Sequence, residues 1–317
     1  MQSRDTSRRG FFLTTAGLAL ACAGTKTPAS PHVPILVKSL VNRRIEQRIF
    51  GMDTVDGAGV SLKRIIGQPA LRHLDPFILF DRFHSDDPAA YIKGFPDHPH
   101  RGFETVTVML EGAMQHRDSR GNSGLIRGGG AQWMTAGRGL IHSEMPQQDR
   151  GLLSGFQLWV NLPAREKLRA PEYQDLQRDA LTQRDLGSAG HATVIAGRLF
   201  DATGPVLARA TKPTLCTLEL EDETEQILEL PNDHVAWVYV HAGQVELCGE
   251  RVVANTLAVL GQGTTIRVRA REQRAGLLLA AAKPLREPIA HRGPFVMNTD
   301  AELMQAFDDY RSGRLAL

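Results

Sequence analysis

The chain has 317 residues, room for about two domains of ordinary size, and its 42% hydrophobic and 23% charged side chains lie in the soluble globular range. With 30 glycines and only 6% aromatic residues, it favours many turns and short strands over long helices. The net charge is +2, and without residues 1–30 the remaining 33 basic side chains face 34 acidic ones, so no general electrostatic pull on nucleic acid or anionic lipid exists and nucleic-acid binding is excluded as a function class.

The chain opens with Ser7-Arg8-Arg9-Gly10-Phe11-Phe12-Leu13, which resembles a twin-arginine export signal. An apolar stretch over 11–23 follows, too short to span a bilayer. Ala19-Leu20-Ala21 suits a signal peptidase, and Cys22 directly after it offers a membrane anchor through a lipid. Export to the periplasm, either soluble or lipid-anchored, is the expectation. Fractionating cells that carry Arg8 and Arg9, or lysines in their place, tests it. The route resembles one that moves folded proteins, which lets a metal be loaded inside the cell. Residues 1–30 are read as signal peptide and linker, 31–175 as a first domain and 176–317 as a second.

From Arg43 the chain reads as short strands split by Gly, Asp and Pro. Val60, Leu62 and Arg64 alternate with Ser61, Lys63 and Ile65, and 77–83, 106–110 and 156–160 are further strand candidates. Turn signals stand at Asp56-Gly57, Gly128-Gly129-Gly130 and Gly137-Arg138-Gly139. Residues 163–186 are polar without alternation and read as an inter-domain connection with at most a helical turn. Strands resume near Ala192 and continue over 214–220, 226–230, 234–247, 251–260, 264–268 and 275–281. Such spacing argues for a sandwich or small barrel. Only the end reads as helix: Leu303, Ala306, Phe307 and Tyr310 share a face behind Thr299, with Glu302 three residues on. Cys216 and Cys248 are expected as free thiols, with a disulfide as the alternative; no CxxC pair exists for zinc.

Chemistry concentrates in two short runs. In His98-Pro99-His100 the imidazoles lie two residues apart, so a strand projects both to one side, and the proline suits a barrel mouth. Glu104 has the same parity and is a candidate for the same interior. In His142-Ser143-Glu144 the two outer side chains again share a face. Three imidazoles and a carboxylate make a mixed nitrogen and oxygen set that suits iron, manganese, nickel or copper. On an octahedral ion such a set leaves two positions open. Trp133 and Met134 are read as wall packing, and Phe80, Phe83 and Trp159 as core. Arg101 and Arg138 either orient an anion or Glu144, or serve a turn. His234, His241 and His291 form no such clamp.

The runs His98-Pro99-His100-Arg101-Gly102-Phe103-Glu104-Thr105-Val106 and Gln132-Trp133-Met134-Thr135-Ala136-Gly137-Arg138-Gly139, ending at His142 and Glu144-Met145-Pro146, resemble the pirin family of cupins. Leu74-Asp75-Pro76-Phe77 and Asp81 fit its first barrel. Gly293-Pro294-Phe295-Val296-Met297-Asn298-Thr299, with Asp309-Tyr310 and Gly313-Arg314, resembles its C-terminal motif. The resemblance implies an all-β fold of two tandem cupin (jelly-roll-like) β-barrels with a short C-terminal helix. It implies one mononuclear divalent metal in the first barrel, held by His98, His100, His142 and Glu144, and a metal-free second barrel. Iron(II) is the metal it implies, with nickel, copper, manganese and zinc as alternatives. The general cupin pattern makes Glu104 the carboxylate ligand; the narrower family makes it Glu144.

By the same resemblance the expected activity is that of a quercetin 2,3-dioxygenase, acting on a flavonol or other small phenolic substrate with dioxygen, with Glu144 or Glu104 taking the hydroxyl proton. A monomer is expected. The alternative is a non-catalytic metal-binding redox sensor or protein-interaction module.

Overall fold

The computed structural model describes residues 40–207 and 209–316. The expected export signal and Cys22 lie outside them. Two barrels of the same plan follow one another, each a seven-stranded sheet facing a four-stranded one. In the first barrel the larger sheet runs Glu172–Leu176, Ala131–Thr135, Phe103–Glu111, Leu153–Asn161, Phe77–Ser85, Val60–Ile66, Met52–Asp56. The smaller runs Phe95–His100, Leu140–Pro146, Ala113–Asp118, Ser123–Arg127. Every strand pairing within the four larger sheets is antiparallel.

The two seven-stranded sheets turn apolar faces to one another. Along Phe103–Glu111, Val106 and Val108 join a core with Phe77, Phe80, Trp133, Phe156, Leu158 and, from the second barrel, Trp237, Tyr239, Leu257 and Leu278. Alternation then points Thr105, Thr107 and Met109 into the first barrel. The rings of Phe80 and Trp237 lie 4.8 Å apart across the junction. The interior of the second barrel is closed by aliphatic side chains, among them Val194, Leu218, Val238, Val245, Leu260, Val268 and Leu279. Cys216 is buried there, and it and Cys248 are free thiols.

The chain ends cross over. Ile45–Phe50 pairs with Thr256–Leu260 in the second barrel's sheet, although it precedes the first barrel in sequence. At the other end the hairpin Ala290–Arg292 and Phe295–Met297, with the helix Asp300–Arg311, returns to the first barrel. Arg101 fastens that return: its Nε donates to the Arg138 carbonyl and its Nη1 to Asp309 Oδ2 at 2.8 Å. Buried Lys167 adds a clip, its Nζ donating to the carbonyls of Gly102 and Val296 and to Asn161 Oδ1. The Arg101 side chain thus serves the fold, and Arg138 contributes its backbone carbonyl. The helix has the expected capping box between Thr299 and Glu302.

Three expectations need correction. Residues 163–186 are no plain connection: they include the strands Glu172–Leu176 and Thr182–Asp185, which pair with Ala131–Thr135 and Gly190–Ala196. As edge strands they bury few side chains, so their sequence carries no alternation. The run 234–247 is two strands, broken at Gly243, whose φ of 69° reverses the chain. The run 251–260 is likewise broken, at Asn255 with φ 65°.

Candidate metal centre

The antiparallel pairing of Phe95–His100 with Leu140–Pro146 sets His142 opposite His98 and Leu140 opposite His100. Leu140, His142, Glu144 and Pro146 are buried in alternation with half-buried neighbours, so His142 and Glu144 share the inner face, as their spacing required. One donor atom from each of His98, His100 and His142 lies within 4.8 Å of the others. The rings pack at centroid distances of 4.4 Å (His98 to His142), 4.7 Å (His98 to His100) and 5.0 Å (His100 to His142). Among the described residues this is the one such group of His, Cys, Asp or Glu donors.

Hydrogen bonds fix which nitrogens point inward. His98 Nδ1 lies 2.8 Å from the Pro96 carbonyl, so it carries the proton and leaves the Nε2 lone pair free. His100 Nδ1 stands 3.5 Å from the Pro294 carbonyl, a partner supplied by the returning C-terminal segment. His142 is fully buried, and neither of its ring nitrogens has a hydrogen-bond partner. A buried polar group left this way costs about 1–3 kcal/mol. Burial holds the imidazoles of His100 and His142 well below the usual histidine range, so both are neutral and available as ligands. Three converging imidazoles, one with no other use for its nitrogens, fit a single divalent cation.

Glu144 stands beside the triad, its Oε2 4.0 Å from His142 Nε2. Gln157 Nε2 donates to Oε2 at 2.9 Å, and Thr107 Oγ1 lies 3.0 Å from Oε1 and 2.7 Å from Gln157 Oε1. The one Thr107 hydrogen faces two acceptor oxygens. A proton on the Glu144 carboxyl would close the ring of contacts. Burial, the largest influence, pushes that carboxyl above the usual range, against the pull of His98 and Thr107.

Glu104 is elsewhere. It shares parity with Val106 and Val108, so it faces the junction between the barrels, where Thr135 donates to Oε1 at 2.8 Å and Arg209 Nε lies 3.4 Å away. The parity count from His98 failed because Gly102, with φ 89°, turns the chain between two strands. Glu104 therefore does not face the histidines.

A cavity of about 420 Å³ opens in front of the centre, lined by His98, His100, Glu144, Phe95, Leu79, Met114 and Trp159, with His291 and Pro294 at its rim. This volume suits a small organic ligand. Trp159, read from sequence as core, is a wall of this cavity, its ring 5.1 Å from that of His100. Sequence reasoning also passed over Thr107 and Gln157; alternation against the apolar Val106, Val108, Phe156 and Leu158 was the signal that placed them inside. At the mouth Arg64 pairs with Asp81 and Asp56, each at 2.8 Å, so its charge is already matched.

Comparison with known proteins agrees with this architecture. Residues 59–160 match the family model for pirin, and 215–316 that for the pirin C-terminal cupin domain. A Pseudomonas aeruginosa protein named "Putative quercetin 2,3-dioxygenase" is 45% identical over 274 residues, covering 84% of this chain and 96% of its own. Human pirin is 37% identical over 280 residues, covering 86% and 94%. A crystal structure of quercetin 2,3-dioxygenase from Acinetobacter baumannii superposes with a TM-score of 0.80 at 32% identity, covering 86% of this chain and 98% of that one. With both cupin domains matched in order, and a histidine triad inside the first, the chain belongs to the pirin family.

Proposed function

We propose that the protein is a metal-dependent dioxygenase that opens the ring of a flavonol or a related phenolic. The observation that carries this reading is the meeting of a histidine triad, a buried carboxyl and an aromatic-walled cavity at one point of the first barrel. Relatives bearing the quercetin 2,3-dioxygenase name support the reaction class. His98, His100 and His142 hold the metal, with Glu144 as fourth ligand; iron(II) is the ion proposed. When bound, the metal supplies a Lewis acid and a redox partner for dioxygen.

The protein's own groups do the rest. Phe95 and Trp159 flank a planar ring, and Leu79 and Met114 keep water from its faces. Glu144, with a raised carboxyl, accepts the proton of the reacting hydroxyl. Thr107 and Gln157 hold its two oxygens in one orientation while it does so.

The test is direct. Iron-loaded protein is mixed with quercetin, and dioxygen uptake and the flavonol absorbance are followed together. Uptake matched to flavonol loss is expected. Metal binding with no turnover of any phenolic would move the assignment to a metal-dependent sensor.

A second prediction concerns pH. His100 and His142 stay neutral well below the usual range, whereas burial raises the Glu144 carboxyl, so Glu144 is a group that loses a proton on metal binding. Below its raised pKa the free protein holds that proton, and binding expels it. Metal affinity should therefore fall about tenfold per pH unit on the acid side. Glu144→Gln should flatten that slope. Competition with a chromophoric chelator across pH measures both; equal slopes would show that no proton leaves Glu144 on binding.

A further inference from the structure

A second cavity, of about 600 Å³, lies at the edge of the junction between the barrels. Its lining includes Arg82, His84, His241, Asn255, Lys63 and Val55. Arg82 is only 7% exposed. Its Nη1 donates to Asn255 Oδ1, and its buried Nε has no partner. Among the described residues no carboxylate forms an ion pair with it, whereas Lys63, opposite it in the sheet, is matched by Asp53 at 2.5 Å. A buried guanidinium bonded only to neutral groups costs several kcal/mol to keep, and Arg64, on the neighbouring strand, shows the usual arrangement with two aspartates.

The surroundings are built as a receptor. Asn255 presents its side chain from a left-handed turn, and the Tyr239 hydroxyl donates to the same oxygen at 3.4 Å. His241 lies over Gly276, where any Cβ would fall 2.3 Å from the ring, so the glycine makes room for the imidazole. His84 spends Nδ1 on Ser154 Oγ at 2.9 Å, leaving its other nitrogen. Burial holds both imidazoles below the usual range, so they bring hydrogen bonds and no charge. Asp53 also lines the cavity but is paired with Lys63, which leaves one unmatched positive charge, with apolar Val55 on the wall.

We propose that this groove binds a small monocarboxylate with an apolar body, its carboxylate on Arg82 and its body against Val55. One free charge matches a monoanion better than a phosphate dianion.

The experiment uses protein stripped of metal with a chelator, because a carboxylate would otherwise bind the metal centre. Calorimetric titration with 4-bromobenzoate should show one site, weakened about tenfold or more in Arg82→Gln and partly restored in Arg82→Lys. Unchanged affinity in Arg82→Gln, or no binding by the unaltered protein, would overturn the site. Tighter binding of inorganic phosphate would overturn the carboxylate assignment. Should the variants not fold, crystals of the stripped protein soaked in 4-bromobenzoate decide: a bromine anomalous peak beside Arg82 supports the site, and its absence there sinks it.

Discussion

Replacing His142 by alanine is expected to abolish stoichiometric metal binding and, with it, turnover of quercetin. Of the three imidazoles this one is fully buried, and it is the one whose two nitrogens have no other partner. Groups that merely support a metal ligand are worth about 10–100-fold in affinity, so loss of a ligand itself should exceed that. The control is stability. Without metal the ring contributes two unmet polar atoms, so the metal-free variant should melt within a few degrees of the metal-free parent. Metal content by mass spectrometry and melting by circular dichroism separate the two effects. A variant that retains one metal per chain would show that the triad does not hold it.

The sequence carried the centre because its geometry is local. His98 and His100 lie on one strand and His142 and Glu144 on another, so alternation alone puts each pair on one face. Bringing the pairs together needed the antiparallel register, which no local pattern encodes. Glu104 shows where parity stops: the count holds along a strand and fails across Gly102. The crossing of Ile45–Phe50 into the far barrel was not legible at all, since its partner, Thr256–Leu260, lies about two hundred residues away and an edge strand with one buried side chain looks like any other. Arg82 was equally silent, because its interest lies in the absence of a carboxylate around it, a property of the packing.

The same alternation ties the metal centre to the second barrel. Along Leu153–Asn161, Gln157 and Trp159 face the cavity while Phe156, Leu158 and Val160 face the other sheet. A cupin barrel that keeps one wall polar for chemistry must gain its packing on the outer side of that wall, and here the second barrel supplies it. Trp237 is the largest contribution: fully buried, with its ring 4.8 Å from Phe80 and 5.5 Å from Phe77. Trp237→Ala is therefore expected to cost about 3–5 kcal/mol, a fall in melting temperature of roughly 6–15 °C. Trp237→Phe, which keeps an aromatic ring in the gap, should cost less than half as much. At low temperature the alanine variant should still bind one metal and turn over, since no ligand is touched; its activity should fail as the junction melts. Calorimetry beside activity measured against temperature checks this. If the alanine variant lost less than about 1 kcal/mol, the second barrel would be an independent neighbour and not the outer support of the cavity wall.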